Sequence, residues 1–300
     1  MSTELRLHGI ITALVTPFSA SGIVDEAALE ELVHFQVRSR VNGLFPLGTT
    51  GMGPAMEPDE RKRVAEVVVD SADDKIPVVV QVGDTKPKVS IDLARHAEKI
   101  GAAAVACLTP FYYHPGPESV IEFYRHLAEA TKLPVLVYNI PRNTGNNVDA
   151  RLLLELSKIP NVVGIKDSSR DFSQLLDYLG TVPKGFTVIN GTDSYLFSAF
   201  CAGVSAGVSA TANPFPEIFV QMYESYRSGD LKSGQELQKK IHALREATSN
   251  PPLAPLLEAL KIRGLKSGNV RLPLRSMDSA EVSALRATMS RLVPELKTAP

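Results

Sequence analysis

Lys166 closes an apolar run, Val162-Val163-Gly164-Ile165-Lys166, and is followed by Asp167-Ser168-Ser169. An ammonium at the end of a buried strand is unfavourable unless it is paired or shifted toward the neutral amine, and a neutral amine attacks carbonyl carbon. The pattern points to a lysine that forms a Schiff base. A structural reading competes with it, in which the stem lies on the core and the head snorkels into water. Tyr138 ends a second such run, Val135-Leu136-Val137-Tyr138-Asn139. Its phenol can carry protons for such an amine, although buried tyrosines also hydrogen-bond for structural reasons. A third candidate is the turn Gly48-Thr49-Thr50-Gly51. Its amides and hydroxyls can converge on a small carboxylate, or can simply satisfy the turn's own backbone.

These groups act together only if the fold gathers them. From about residue 8 to residue 225 short apolar runs alternate with amphipathic stretches, eight times over, at roughly 20- to 35-residue spacing. The strand candidates are residues 9–15, 43–47, 78–82, 104–108, 135–139, 162–166, 186–190 and 206–209. Being apolar on both faces, they suit a parallel sheet covered by helices. Helices are expected over 26–40, 58–73, 87–100 and 117–131, and the last three open on proline, whose missing amide has no partner in a first turn anyway. The pattern predicts an α/β fold, a (β/α)8 TIM barrel over residues 1–225, with a helical extension over 226–300 carrying helices near 231–247, 252–264 and 278–295.

Such barrels build their sites at the carboxyl ends of the strands. Besides Thr49, Thr50, Tyr138 and Lys166, those ends carry Tyr112 after strand four and Arg142 and Asn143 after strand five. Ser168 follows strand six, Gly191 and Asp193 follow strand seven, and Ser209 and Asn213 close strand eight. An amine, a phenol, an anion cradle and several hydroxyls around one mouth are what a covalent iminium mechanism on a 2-oxo acid requires.

Composition narrows the alternatives. Lysine and arginine total 32 against 33 acidic residues, a formal charge of -1, with no basic stripe that would follow a nucleic acid backbone. No stretch approaches a membrane span and the first eight residues contain no apolar signal core, so a soluble cytoplasmic protein is expected. Cys107 and Cys201 read as buried small hydrophobes, not as a disulfide or metal pair. A metal-dependent aldolase would need histidines and carboxylates clustered at the mouth, and the histidines are scattered, so no metal is expected. Extra basic side chains for a phosphorylated substrate are not identifiable as a dedicated pair.

The Gly48-Thr49-Thr50-Gly51 turn, the Tyr138-Asn139-Ile140-Pro141 segment and Gly164-Ile165-Lys166-Asp167 together resemble the dihydrodipicolinate synthase and N-acetylneuraminate lyase family of pyruvate-dependent class I aldolases. The resemblance covers most of the chain. It implies that Lys166 forms the Schiff base with pyruvate, that Tyr138 relays protons, and that Thr49 and Thr50 hold the pyruvate carboxylate or assist the tyrosine. Tyr112 matches an aromatic that reaches into a neighbouring subunit's site, implying a homodimer or homotetramer. The resemblance implies no cofactor.

Within the family, Gly51-Met52-Gly53-Pro54, Thr144-Gly145 and Gly191-Thr192-Asp193 are similar to 2-keto-3-deoxygluconate aldolases. Ser168, Asp193 and Asn213 would then meet a polyhydroxylated partner. Synthases that condense pyruvate with aspartate semialdehyde in lysine biosynthesis are the alternative. They carry an arginine where this chain has Asn143, with its own Arg142 one place earlier. A third alternative is a non-catalytic sugar-acid sensor, against which the joint presence of Lys166 and Tyr138 speaks.

Overall fold

The computed structural model describes residues 7–296. The expected absence of a signal core rests largely on residues 1–6, outside the described residues. Eight parallel strands form one sheet: β1 (Gly9–Thr12), β2 (Gly43–Leu44), β3 (Val79–Gln81), β4 (Ala104–Leu108), β5 (Val135–Asn139), β6 (Val162–Asp167), β7 (Thr187–Asn190) and β8 (Ala206–Ser209). Their order is β2-β1-β8-β7-β6-β5-β4-β3, and a parallel bridge between Leu44 and Val78 closes the cylinder. The (β/α)8 barrel is therefore present.

β1 and β2 stop three residues earlier than their sequence patterns suggest, at Thr12 and Leu44. Pro46 has no amide to donate, and Leu47 adopts a φ of 64°, which takes the chain out of extended geometry into the threonine turn. The helices Pro58–Ala72, Pro87–Lys99 and Pro117–Glu129 do open on proline. In the first of these, Glu57 and Glu60 complete a capping box.

Side chains alternate across each strand, so the barrel has two cores. Ala104, Ala106, Leu136, Tyr138, Ile189, Ala206 and Phe45 fill the cylinder, whereas Val105, Cys107, Val135, Val137 and Ile165 face the helices. Lys166 pairs in register with Tyr138 on β5 and Ile189 on β7. Asp167, on the opposite face, accepts hydrogen bonds from Asn139 Nδ2 at 2.9 Å and Ser169 Oγ at 2.6 Å. The same alternation that aims the lysine inward aims its acidic neighbour at the outer layer.

The tail contains the helices Leu231–Ala247, Ala254–Ile262 and Ser279–Leu292. The helix Pro216–Ser228 runs through residue 225, so barrel and tail share an element. Arg263 grips Glu217 with contacts of 2.8 and 3.0 Å, and Asn269 N donates to Phe18 O at 2.9 Å, docking the tail on the barrel. No described helix is long and apolar enough to cross a membrane.

One cysteine departs from expectation. Cys107 is buried, and burial pushes its thiol up to about 12. Cys201 is exposed, because the short helix Leu196–Ala202 turns Leu196, Phe197, Ala199 and Phe200 inward and leaves Ser198 and Cys201, one turn apart, facing out.

Candidate active site

At the carboxyl end of the cylinder a cavity of about 820 Å³ opens, lined by Lys166, Tyr138, Thr49, Thr50, Ser168, Gly191, Asp193, Arg142 and Asn143. Lys166 is 4% exposed, with Nζ 3.7 Å from the centroid of the Tyr138 ring and 4.3 Å from that of Phe45. Burial lowers its pKa, opposed by Tyr138 and more weakly by Asp167 and Asp193. The ring faces also favour a cation, but loss of water outweighs them and the amine is shifted toward its nucleophilic form.

Tyr138 is buried, its ring edge-on to Phe45 at 5.5 Å, and its hydroxyl lies 3.3 Å from Thr49 Oγ1. Burial alone would raise its pKa, but a charged Lys166, the Thr49 hydroxyl and Arg142 together bring it below the ordinary phenol value. That lowering presupposes a charged lysine. Once the amine is neutral, the main counter-effect is gone and the phenol holds its proton. The two groups therefore share a proton economy, and what one loses favours retention by the other.

The threonine turn is held by its own geometry. Met52 N donates to Thr49 O and Gly53 N to Gly48 O, both at 3.2 Å, with Met52 at a φ of 54°. Gly53 is required there, since a Cβ would drive into the Leu47 carbonyl. The amides of Thr49 and Thr50 donate to no backbone carbonyl among the described residues. They remain free for an anion. Gly191 is equally tight, because a side chain there would collide with Ser168 Oγ and lie 2.8 Å from Asp167 O and 3.3 Å from Lys166 Cε. Asp193 is buried, which raises its carboxyl pKa against the hydroxyls of Thr211 and Ser209.

Three expected site residues stand elsewhere. Asn213 does not line the cavity. Its Nδ2 donates to Ala13 O at 2.7 Å and Ala210 O at 2.8 Å, while Oδ1 accepts from Val15 N at 3.0 Å, so it ties the end of β1 to the loop after β8. Ser209 lies beneath Asp193 and accepts from Ala212 N at 3.1 Å, outside the lining. Tyr112 is 80% exposed at a φ of 76°, packs on Tyr113, and does not reach this chain's cavity.

Other groups around the site were not singled out in the sequence. Phe45, just past β2, does not line the cavity but packs in the inner core 4.3 Å from Lys166 Nζ, an inward placement that alternation could have provided. Arg170, after β6, and Arg245, from the helix Leu231–Ala247, line the cavity. Basic side chains at the mouth are thus present after all, and Arg245 comes from a segment whose place against the barrel no local pattern reveals. The tail contributes further wall through Thr248, Pro252 and Leu256. No group of three or more metal-ligating side chains occurs among the described residues.

Asn213→Ala is expected to destabilise the fold by about 2–4 kcal/mol, because it strands the buried Val15 amide and Ala13 carbonyl. Urea unfolding followed by circular dichroism measures this. An unchanged midpoint would mean the amide is dispensable.

A barrel with a buried amine beside a phenol at its carboxyl mouth has the architecture of a class I lyase. The chain belongs to the dihydrodipicolinate synthetase family, which it matches over residues 6–292. It is 34% identical over 288 residues to the 4-hydroxy-tetrahydrodipicolinate synthase of Acidiphilium cryptum, covering 95% of this chain and 98% of that one. An uncharacterized DapA-like lyase of Halobacterium salinarum is 36% identical over 289 residues, with 96% and 95% covered. Among solved structures, YagE, a prophage protein of E. coli K12 in complex with pyruvate, matches with a TM-score of 0.93 at 27% identity, over 98% of this chain and 100% of that one. Membership of an enzyme family sets the sensor reading aside.

Proposed function

We propose that this enzyme joins or splits pyruvate and an aldehyde through an imine on Lys166. The observation that carries the reading is the buried amine held 3.7 Å from the Tyr138 ring, beside free amides in the threonine turn. Neutral Nζ attacks the keto carbon of pyruvate, whose carboxylate lies on the Thr49 and Thr50 amides. Tyr138 carries a proton to the departing hydroxyl, and water leaves as the iminium forms. Loss of a methyl proton gives the enamine, whose carbon adds to the aldehyde. Hydrolysis of the resulting imine returns the amine. Binding of pyruvate by the structural neighbour YagE supports this choice of ketone.

For the aldehyde, aspartate semialdehyde is better supported than the sugar-acid partner. Relatives named 4-hydroxy-tetrahydrodipicolinate synthase, 34% identical over 95% of the chain in one case, favour it. The 2-keto-3-deoxygluconate reading rests on short motifs, and Asn213, one of its hydrogen-bonding residues, is occupied with the backbone. Purified protein incubated with pyruvate and borohydride is expected to gain a covalent adduct on Lys166, located by peptide mass analysis. An unmodified Lys166 would overturn the imine. With pyruvate supplied, aspartate semialdehyde should be consumed faster than glyceraldehyde, and condensation with glyceraldehyde alone would restore the sugar-acid reading.

A further inference from the structure

Among the described residues, every strand except β3 contributes to the cavity wall, either directly or through the turn that follows it. β3 nevertheless sends a polar side chain into the cylinder. Gln81 pairs in register with Ala106, an inner-core residue, and shares its parity with Val79, which belongs to the same core. Gln81 is fully buried, and an amide in that position is unfavourable unless its groups are bonded. Its Nε2 donates to Leu47 O at 3.1 Å, and its Oε1 accepts from Gly83 N. The backbone amide of the same residue donates to Pro46 O at 3.3 Å. Arg61 Nη2 donates to Gln81 O and Gly83 O, both at 3.2 Å, from the helix Pro58–Ala72 that follows the threonine turn.

Leu47 is the residue over which the threonine turn folds back. Its φ of 64° is disfavoured for a residue with a side chain, and a Cβ at either Gly51 or Gly53 would run into its backbone. Among the described residues no donor other than Gln81 reaches its carbonyl. At the other end of the turn Thr16 Oγ1 donates to Gly51 O at 2.8 Å. The Thr49 and Thr50 amides therefore lie between two side-chain pins, one on Leu47 and one on Gly51. An apolar side chain would fill the place of Gln81 in the core without needing partners. An amide with both ends bonded does something more, because it fixes where the Leu47 peptide sits.

We propose that Gln81 is a positioning residue for the reaction: through its bond to the Leu47 carbonyl it sets where the Thr49 and Thr50 amides meet the pyruvate carboxylate. The proposal rests on the imine reading and deepens it. Gln81 touches no substrate and acts only through the turn. Two amides select a carboxylate while both point at one place, and preorganised donors lose most of their worth when they must be reoriented on binding. Without the Gln81 bond the strained Leu47 peptide is free to relax, and its buried carbonyl is left without a donor.

The test compares adduct formation on Lys166 with pyruvate and with its neutral methyl ester, by timed borohydride quenching, in the wild type and in Gln81→Met. Methionine keeps the length and nearly the volume of glutamine while removing its donor and acceptor. The pyruvate-to-ester ratio of rates should fall roughly 10-fold in the variant, as expected when hydrogen bonds to a charged group are misaligned. In steady state the KM for pyruvate should rise by a similar factor while kcat changes by less than about threefold. Val79→Ala, on the same strand and the same face, is the control: it opens the inner core without touching Leu47, so it should lower the melting temperature and keep the ratio. Gln81→Asn guards against a methionine variant that does not fold, since it keeps an amide in the barrel but is one methylene short of Leu47, and it should lose the ratio as well. A wild-type ratio in either folded Gln81 variant, or an equal loss in Val79→Ala, would overturn the positioning role. The wild type separates the two levels: no adduct with pyruvate defeats the imine reading, whereas an adduct whose ratio ignores position 81 defeats the positioning role alone.

Discussion

Lys166→Met is expected to lower turnover by at least about 1,000-fold while raising thermal stability, because it deletes the covalent route and also removes a buried amine. The stability half of this expectation follows from linkage. Lys166 has a folded-state pKa below its ordinary value of 10.5, through burial. Between the lowered pKa and 10.5 the unfolded chain binds a proton that the folded chain does not, so the wild type gains stability as pH rises through that window. Below the lowered pKa the whole penalty is present. Methionine has no such penalty and nearly the same volume, so its advantage is greatest below the lowered pKa and shrinks as pH approaches 10.5. Thermal unfolding of both proteins across that range, with aldol turnover assayed alongside, checks both halves. A variant whose melting temperature follows the wild type at every pH would show that the amine is as well solvated as a surface lysine, and the proposed nucleophile would lose its basis.

The barrel was legible because its information is local. Each strand is a short apolar run, and β4, β5 and β8 have the bounds expected from sequence, at 104–108, 135–139 and 206–209. β2 is shorter because the turn chemistry of Pro46 and Leu47 overrides its apolar content. Lys166 and Tyr138 were legible for a related reason: a polar group ending a buried run stands out against its neighbours. Strand registry then places them side by side, which alternation anticipates but cannot prove.

What escaped was tertiary. Asn213 reads from sequence as a ligand-binding amide at a strand end, yet its three side-chain hydrogen bonds go to the backbone of Ala13, Val15 and Ala210, a partnership that no spacing discloses. Arg245 lies 79 positions beyond Lys166 in a helix whose sequence shows only that it is amphipathic. Cys201 was misjudged because a seven-residue helix, Leu196–Ala202, offers too few turns to tell its inner from its outer face. In each case the missing quantity was the docking of one element against another.

Tyr138→Phe isolates the proton-transfer half of the proposed mechanism. The substitution removes one oxygen and leaves the ring, so the edge-on packing against Phe45 at 5.5 Å and the ring face beneath Lys166 survive. Stability should therefore change by no more than about 1 kcal/mol, the scale of a single hydrogen bond such as that to Thr49. In the proposed binding mode the Thr49 and Thr50 amides are untouched, so the KM for pyruvate should stay close to the wild-type value. The dehydration that turns carbinolamine into iminium loses its proton donor, and its rate should fall by roughly 100-fold or more. Timed borohydride quenching after mixing with pyruvate measures that step directly. Thr49→Val keeps the phenol but removes its partner, so it should slow the same step by a smaller factor. If Tyr138→Phe forms the adduct at the wild-type rate, the proton must come from another group, and buried Asp193, whose carboxyl pKa is raised and whose field reaches Lys166, is the next candidate on the cavity wall.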